Sequence, residues 1–215
     1  MDLFCYIRFE DTVLSLDNNC ITISSLSASL SRKSKILTMD TKRYLLSANK
    51  DINSNKESLS YIAIYYINSN NQVVFNNIID GLLLDYSTLD ISDFIITPDS
   101  TIILSDTAQS RLVFIEYTLY NDIIIKKVKP ITGKPLALTY DTKSNTLLVA
   151  TKETIIEYKG SDFETIVGSY EVDQSDNLID NIQVSSLFVI YITKNRNLFV
   201  YERQEHKVNY LLHRE

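Results

Sequence analysis

The histidines, His206 and His213, both fall close to the C-terminus. A hydrolytic or metal site needs several such groups converging, and no other histidine can join them. Cys5 and Cys20 are too few for a disulfide framework and read as buried thiols in a reducing compartment. Serine and threonine abound, yet none sits in a Gly-x-Ser-x-Gly turn. The glycines at 81, 133, 160 and 168 are too scattered to form a phosphate-cradling loop. These residue types argue against an enzyme, and no cofactor and no metal are expected.

Recognition is the chemistry the residues support better. Lys126, Lys127 and Lys129 crowd one short run, and tyrosines are concentrated in apolar runs, Tyr65, Tyr66, Tyr117 and Tyr120 among them. A tyrosine ring packs while its hydroxyl stays wet, which suits an interface and equally the half-buried space between stacked sheets. These seven residues form the expected partner-binding set, with packing between sheets as the alternative for the tyrosines. A net charge of −6 argues against a general polyanion binder, which needs clustered cations to displace phosphate counterions. Other protein subunits are the expected partners, with no general nucleic-acid binding.

The elements that must position these groups are strands. Val, Ile, Leu, Tyr and Phe recur in short runs bounded by turn residues, and no segment keeps apolar residues at helical spacing behind a cap. A short helix is conceivable only around 31–41. From Ser92 to Tyr117, three apolar runs are separated by Thr97-Pro-Asp-Ser100 and Ser105-Asp-Thr-Ala-Gln-Ser110, which reads as an antiparallel meander. The layout repeats: Thr12-Val-Leu-Ser-Leu, Tyr44-Leu-Leu-Ser-Ala, Thr101-Ile-Ile-Leu-Ser, Thr146-Leu-Leu-Val-Ala and Phe188-Val-Ile-Tyr-Ile each precede a polar turn and another apolar run.

Sheet units that cannot bury their own faces must stack on copies of themselves. The expected fold is therefore all-β, a β-propeller or partial propeller of about five blade-like four-stranded antiparallel units. One domain is expected over 1–215, with units near 1–34, 35–80, 81–131, 132–173 and 174–215. The first unit lacks a clear fourth strand between Ser27 and Ser34. The polar stretch Asn49 to Ser58 reads as an exposed, mobile loop. Ile102, Leu104, Leu147, Val149, Val189 and Tyr191, at matching places in second strands, are expected between neighbouring units. A β-sandwich is the alternative fold. An open propeller exposes long edges, so the ring closes through its own N-terminal strand or is completed by another chain.

Phe94-Ile-Ile-Thr-Pro-Asp-Ser-Thr-Ile-Ile-Leu-Ser-Asp-Thr107 and Pro135-Leu-Ala-Leu-Thr-Tyr-Asp-Thr-Lys-Ser-Asn-Thr-Leu-Leu-Val-Ala150 resemble units of WD40-like and NHL-like propellers. With no tryptophan, the chain departs from the Trp-Asp hallmark of the former. Ser92 to Tyr158, with its Gly133-Lys-Pro135 junction, also resembles the non-catalytic propeller subunit of tRNA guanine-N7 methyltransferases. That likeness implies support of an RNA-modifying enzyme. A likeness to lactonase-type propeller hydrolases would make Asp93, Asp180 and Asn181 ligands of a divalent cation. Such a cation needs about 6–8 oxygens in one place, more than these positions offer. The expected function is a non-catalytic interaction scaffold, a subunit of a larger assembly.

Asp2, Arg8, Glu10 and Asp11 interrupt any leader, no Asn-x-Ser/Thr acceptor occurs, and no run approaches the ~20 apolar residues of a membrane span. A cytoplasmic or nuclear protein, off the membrane, is expected.

Overall fold

The computed structural model describes residues 16–17, 20–21, 33–52, 58–70, 72–81, 89–160, 162–172, 179–203 and 208–212. Every regular element among them is a strand: β1 (Leu16–Asp17), β2 (Cys20–Ile21), β3 (Lys33–Met39), β4 (Lys42–Ile52), β5 (Ser58–Ile67), β6 (Val73–Ile79), β7 (Ile91–Ile96), β8 (Thr101–Asp106), β9 (Arg111–Tyr117), β10 (Ile123–Pro130), β11 (Ala137–Asp141), β12 (Thr146–Ala150), β13 (Thr154–Lys159), β14 (Thr165–Glu171), β15 (Ile179–Val184), β16 (Phe188–Thr193), β17 (Leu198–Glu202) and β18 (Val208–Leu212). The region 31–41, where a helix was conceivable, supplies β3 instead, because its alternating Lys-Ser-Lys-Ile-Leu-Thr-Met suits a strand with one covered face.

Four meanders, β3–β6, β7–β10, β11–β14 and β15–β18, are four-stranded sheets whose strands pair in chain order. Among the described residues four such sheets stand where about five units were expected. Of the first expected unit only the short pair β1–β2 falls among the described residues, with Leu16 opposite Ile21. The remainder of that unit lies outside them.

The chain divides into two compact units. One comprises Met1–Leu89 with Tyr117–Ile123, and the other Asp90–Glu116 with Ile124–Glu215. In the first, Leu45, Ala63, Tyr65 and Ile67 build a core on one face of the β3–β6 sheet. In the second, β12 is buried at every position. Leu147 and Val149 pack with Ile95 and Ile103, whereas Leu148 and Ala150 pack with Val189 and Tyr191. A strand covered on both faces needs no polar alternation, which is why Thr146-Leu-Leu-Val-Ala is a nearly continuous apolar run. Ile102, Leu104, Leu147, Val149, Val189 and Tyr191 are all fully buried.

The repeat is written in the register as well as in the sequence. Leu45 opposes Tyr65, Leu147 opposes Tyr158 and Val189 opposes Tyr201. At each of these tyrosines the pairing to the next strand shifts by a bulge. A bulge bends the outer strand and adds local twist, and the buried tyrosine fills the space beneath it.

The two ends of the stretch Asn49 to Ser58 differ from the expectation of an exposed loop, and residues 53–57 lie outside the described residues. Asn49 through Ile52 continue β4 and pair with Tyr61 back to Ser58. Asn49 is buried, with its side-chain amide donating to the Ser47 carbonyl at 2.7 Å. Cross-strand pairing here outweighs the weak strand propensity of Asn, Lys and Asp.

Candidate functional site

The seven residues singled out from the sequence sort into two places. Tyr65, Tyr66, Tyr117 and Tyr120 belong to the first compact unit, and Lys126, Lys127 and Lys129 to the second.

Tyr65 and Tyr117 are buried, which removes both from the expected contact surface. Tyr65 occupies the repeated bulge position, so its presence follows from the fold. The Tyr44 ring lies 5.3 Å edge-on from Tyr117 and 5.7 Å from the half-buried Tyr66. Burial and the neighbouring Tyr44 push the Tyr117 hydroxyl up to about 12, so it remains a hydrogen-bond donor. It donates to Asn121 Oδ1 at 2.9 Å.

Asn121 is the pin of a tight turn. It sits at φ 68°, in the left-handed region that asparagine tolerates better than most residues. Its side-chain oxygen accepts from Asn76 Nδ2 at 3.0 Å, and its carbonyl accepts from Asn77 Nδ2 at 2.9 Å. The Thr118 hydroxyl accepts the backbone N–H groups of Tyr120 and Asp122 at 3.2 and 3.1 Å. Fixed by these bonds, the turn holds Tyr120 out at 88 % exposure beside the exposed Leu119. On β6, next to Asn76, Phe75 is 60 % exposed and its ring meets Tyr65 edge-on at 5.9 Å. Val74 is exposed as well. Leu119 and Tyr120 thus stand out from a turn whose backbone is already fixed, so contact with another surface would cost little backbone freedom.

The lysines are arranged differently. Lys126 Nζ meets Glu116 Oε2 at 2.6 Å. Lys127 pairs with Glu164 and donates to the Asp162 carbonyl at 2.6 Å. Lys129, nearly buried, reaches the other Glu164 oxygen at 2.6 Å and lies 4.7 Å over the Tyr158 ring. These two lysines hold the Glu164 carboxyl down at about 2. Glu164 is delivered by a loop that folds its neighbour Phe163 inward at φ 52°, a strained value for a bulky side chain. Phe163 stacks on Phe114 at 5.8 Å and meets Tyr140 edge-on at 6.1 Å. The strand expected to display its charges thus has them balanced by its own chain.

Sequence reasoning missed the densest polar cluster. Arg203, just after β17, is half-buried, with its guanidinium set among groups of the β11–β14 sheet. It donates to Asp141 Oδ2 at 2.6 Å, to Ser144 Oγ at 3.0 Å, to Thr146 Oγ1 at 2.9 Å and to both Glu157 oxygens, and also to the Ser185 carbonyl at 2.8 Å. Burial pushes the Asp141 carboxyl up, but the Ser144 hydroxyl and the guanidinium more than offset this and bring it to about 2. Tyr170, buried beside Glu157 and donating to it at 3.1 Å, is pushed up to about 12. Gly168 leaves the room this requires, since a Cβ there would stand 3.2 Å from Glu157 Oε2. The cluster ties the last two sheets together. The available signal was Glu157 itself, a charge inside the apolar run Thr154-Ile-Ile-Glu-Tyr158, which demands a buried partner.

Asp93, one of the three positions that the lactonase likeness would make cation ligands, is buried at a bulge of β7, and its oxygens accept the backbone N–H groups of Phe94 and Leu138 at 2.8 Å each. Asp180 is exposed and Asn181 half-buried on β15. Among the described residues no group of three His, Cys, Asp or Glu side chains is placed to hold a metal ion. His206, His213 and Cys5 lie outside the described residues, as does the Cys20 side chain. No helix among the described residues is long and apolar enough to cross a membrane.

Four-stranded antiparallel meanders paired in chain order, with a repeated register, are the units of a β-propeller-type fold. No family model and no curated protein sequence matches the chain. Among solved structures, Sqt1 of Saccharomyces cerevisiae, a WD40 propeller protein, superposes with a TM-score of 0.61 over 84 % of this chain at 8 % identity. The match covers 48 % of Sqt1, so the chain spans about half the length of that protein. At this identity the likeness shows the fold, that of a divergent propeller.

Proposed function

We propose that this chain is a non-catalytic interaction scaffold, a propeller-type subunit that binds another protein through Val74, Phe75, Leu119 and Tyr120. The observation that carries the reading is Tyr120, an almost fully exposed aromatic side chain on a turn fixed by hydrogen bonds from Asn76, Asn77 and Tyr117. Tyrosines at repeated positions are explained by packing, and Tyr120 is not. The lysine strand contributes little to binding, because its cations already have carboxylate partners in the chain. A cytoplasmic or nuclear setting and the absence of catalysis belong to the same proposal.

A photo-crosslinking residue at position 120 tests it. The reading expects one dominant adduct in cell extract, abolished when Phe75 is also changed to Ser. No adduct, or one indifferent to Phe75, contradicts it.

A further inference from the structure

β6 ends the first four-stranded sheet, and among the described residues no strand follows it there. Alternation says which of its backbone groups face outward. The Asn68 N–H donates to the Gln72 carbonyl at 2.9 Å and closes the β5–β6 turn. Two residues further along each strand, the next pair bonded in the same way is Tyr66 with Val74. Val73 and Phe75 therefore send their N–H and C=O groups away from β5. The straight edge stops at the bulge after Phe75, where the side chains of Asn76 and Asn77 are committed to Asn121. Exposed apolar side chains border it on both faces, Phe75 on the face of Tyr65 and Val74 on that of Tyr66. Edge strands are ordinarily blunted against pairing by charges or proline. β10 carries three lysines and ends at Pro130, and β14 ends on Glu171, whereas Val73-Val-Phe-Asn-Asn-Ile-Ile79 has neither charge nor proline. β18 lacks them too, but its side chains lie outside the described residues.

We propose that the partner presents an extended segment that joins this sheet as a strand beside β6, an inference that rests on the binding role given above to Val74, Phe75, Leu119 and Tyr120. A helix or a flat apolar surface presses on one face of a sheet. A strand laid along the edge meets both faces, and Val74 and Phe75 point to opposite ones. The outward groups of Val73 and Phe75 recur every second residue, the spacing at which an extended chain returns its own N–H and C=O groups. The segment is short, because the edge runs only from Val73 to Phe75 before the bulge. It is apolar at successive positions, because one side chain meets Phe75 and the next meets Val74. The turn bearing Leu119 and Tyr120, bonded to Asn76 and Asn77, stands where the edge stops and receives the end of the segment.

Photo-crosslinking from position 120 of the full chain in cell extract, repeated with Val73→Pro, tests this. On an edge strand proline removes an outward donor and obstructs an added strand, while Phe75, Leu119 and the crosslinking residue stay as they are. The dominant adduct, to a protein other than this chain, should fall about tenfold with Val73→Pro and stay within about twofold of the parent with Val73→Thr. If Val73→Pro loses its fold by circular dichroism, an ester in place of the amide between Val74 and Phe75 decides instead. It deletes the Phe75 N–H, keeps every side chain and carries the same expected fall. An adduct undiminished by these changes overturns the added strand and leaves the partner site standing. An adduct to a second copy of this chain overturns it as well. No adduct from the parent chain overturns the partner site itself, and the added strand with it.

Discussion

The β10 lysines and the Tyr120 turn are both cation- or aromatic-rich outer features, yet they have opposite fates. Lys127 and Lys129 converge on Glu164, and Lys126 on Glu116, so that strand meets its own demand for counter-charge. The Tyr120 turn uses its polar groups on holding its own shape and leaves its apolar ones outside. The difference teaches that a dense charge run in sequence is a poor guide to a binding surface when carboxylates lie within reach. An exposed aromatic on a bonded turn is a better one.

The largest expected effect lies where internal satisfaction is most complete. Arg203→Met leaves the buried Asp141 and Glu157 carboxylates without their cation and should cost about 3–5 kcal/mol by chemical denaturation. A loss under about 1 kcal/mol would mean that the cluster is not a tie between sheets.

The same cluster sets an acid limit. The Asp141 carboxyl titrates at about 2 in the folded chain against an ordinary 3.8. A depressed folded value stabilises the protein fully above the unfolded value, and that contribution disappears as pH falls through about 2. At about 1.4 kcal/mol per unit, stability should drop by about 2 kcal/mol between pH 4 and pH 2. Glu164, drawn down by Lys127 and Lys129, acts in the same direction. Unfolding curves that superpose across this range would contradict the assignment.

How much of this was legible beforehand depends on how local the cause is. Phe188–Thr193 and Val208–Leu212 were readable to the residue, because β-branched and aromatic runs end at turn chemistry. Burial of Leu147 and Val149 followed from superposing repeats. Asn49 to Ile52 read as loop because polarity is local, whereas their pairing with Ser58 to Tyr61 is decided across the hairpin. Arg203 was invisible for a similar reason, since Asp141 and Glu157 lie 62 and 46 residues away in sequence. The Tyr120 turn was legible as a tyrosine and not as a site, because nothing local links Asn76 and Asn77 to Asn121.

A smaller effect probes the turn from beneath. Tyr117→Phe removes the hydroxyl that donates to Asn121 while keeping the ring against Tyr44, at an expected cost of about 0.5–1.5 kcal/mol in thermal unfolding. Lys126→Ala, which deletes an exposed pair, should cost about 0–1 kcal/mol. A larger loss at Lys126 than at Tyr117 would reverse the contrast between the two regions.

Affinity for a partner recovered by crosslinking through residue 120 tests the central claim most directly. It is to be measured by calorimetry with the wild-type chain, with Phe75→Ser/Tyr120→Ser and with Lys126→Ala/Lys127→Ala, all checked for unchanged unfolding curves. Truncating aromatic anchors costs about 2–4 kcal/mol at an interface, so the aromatic pair should lose about 30-fold or more, while the lysine pair stays within about threefold of wild type. Equal affinities for wild type and the aromatic variant, or a loss confined to the lysine variant, would contradict the account.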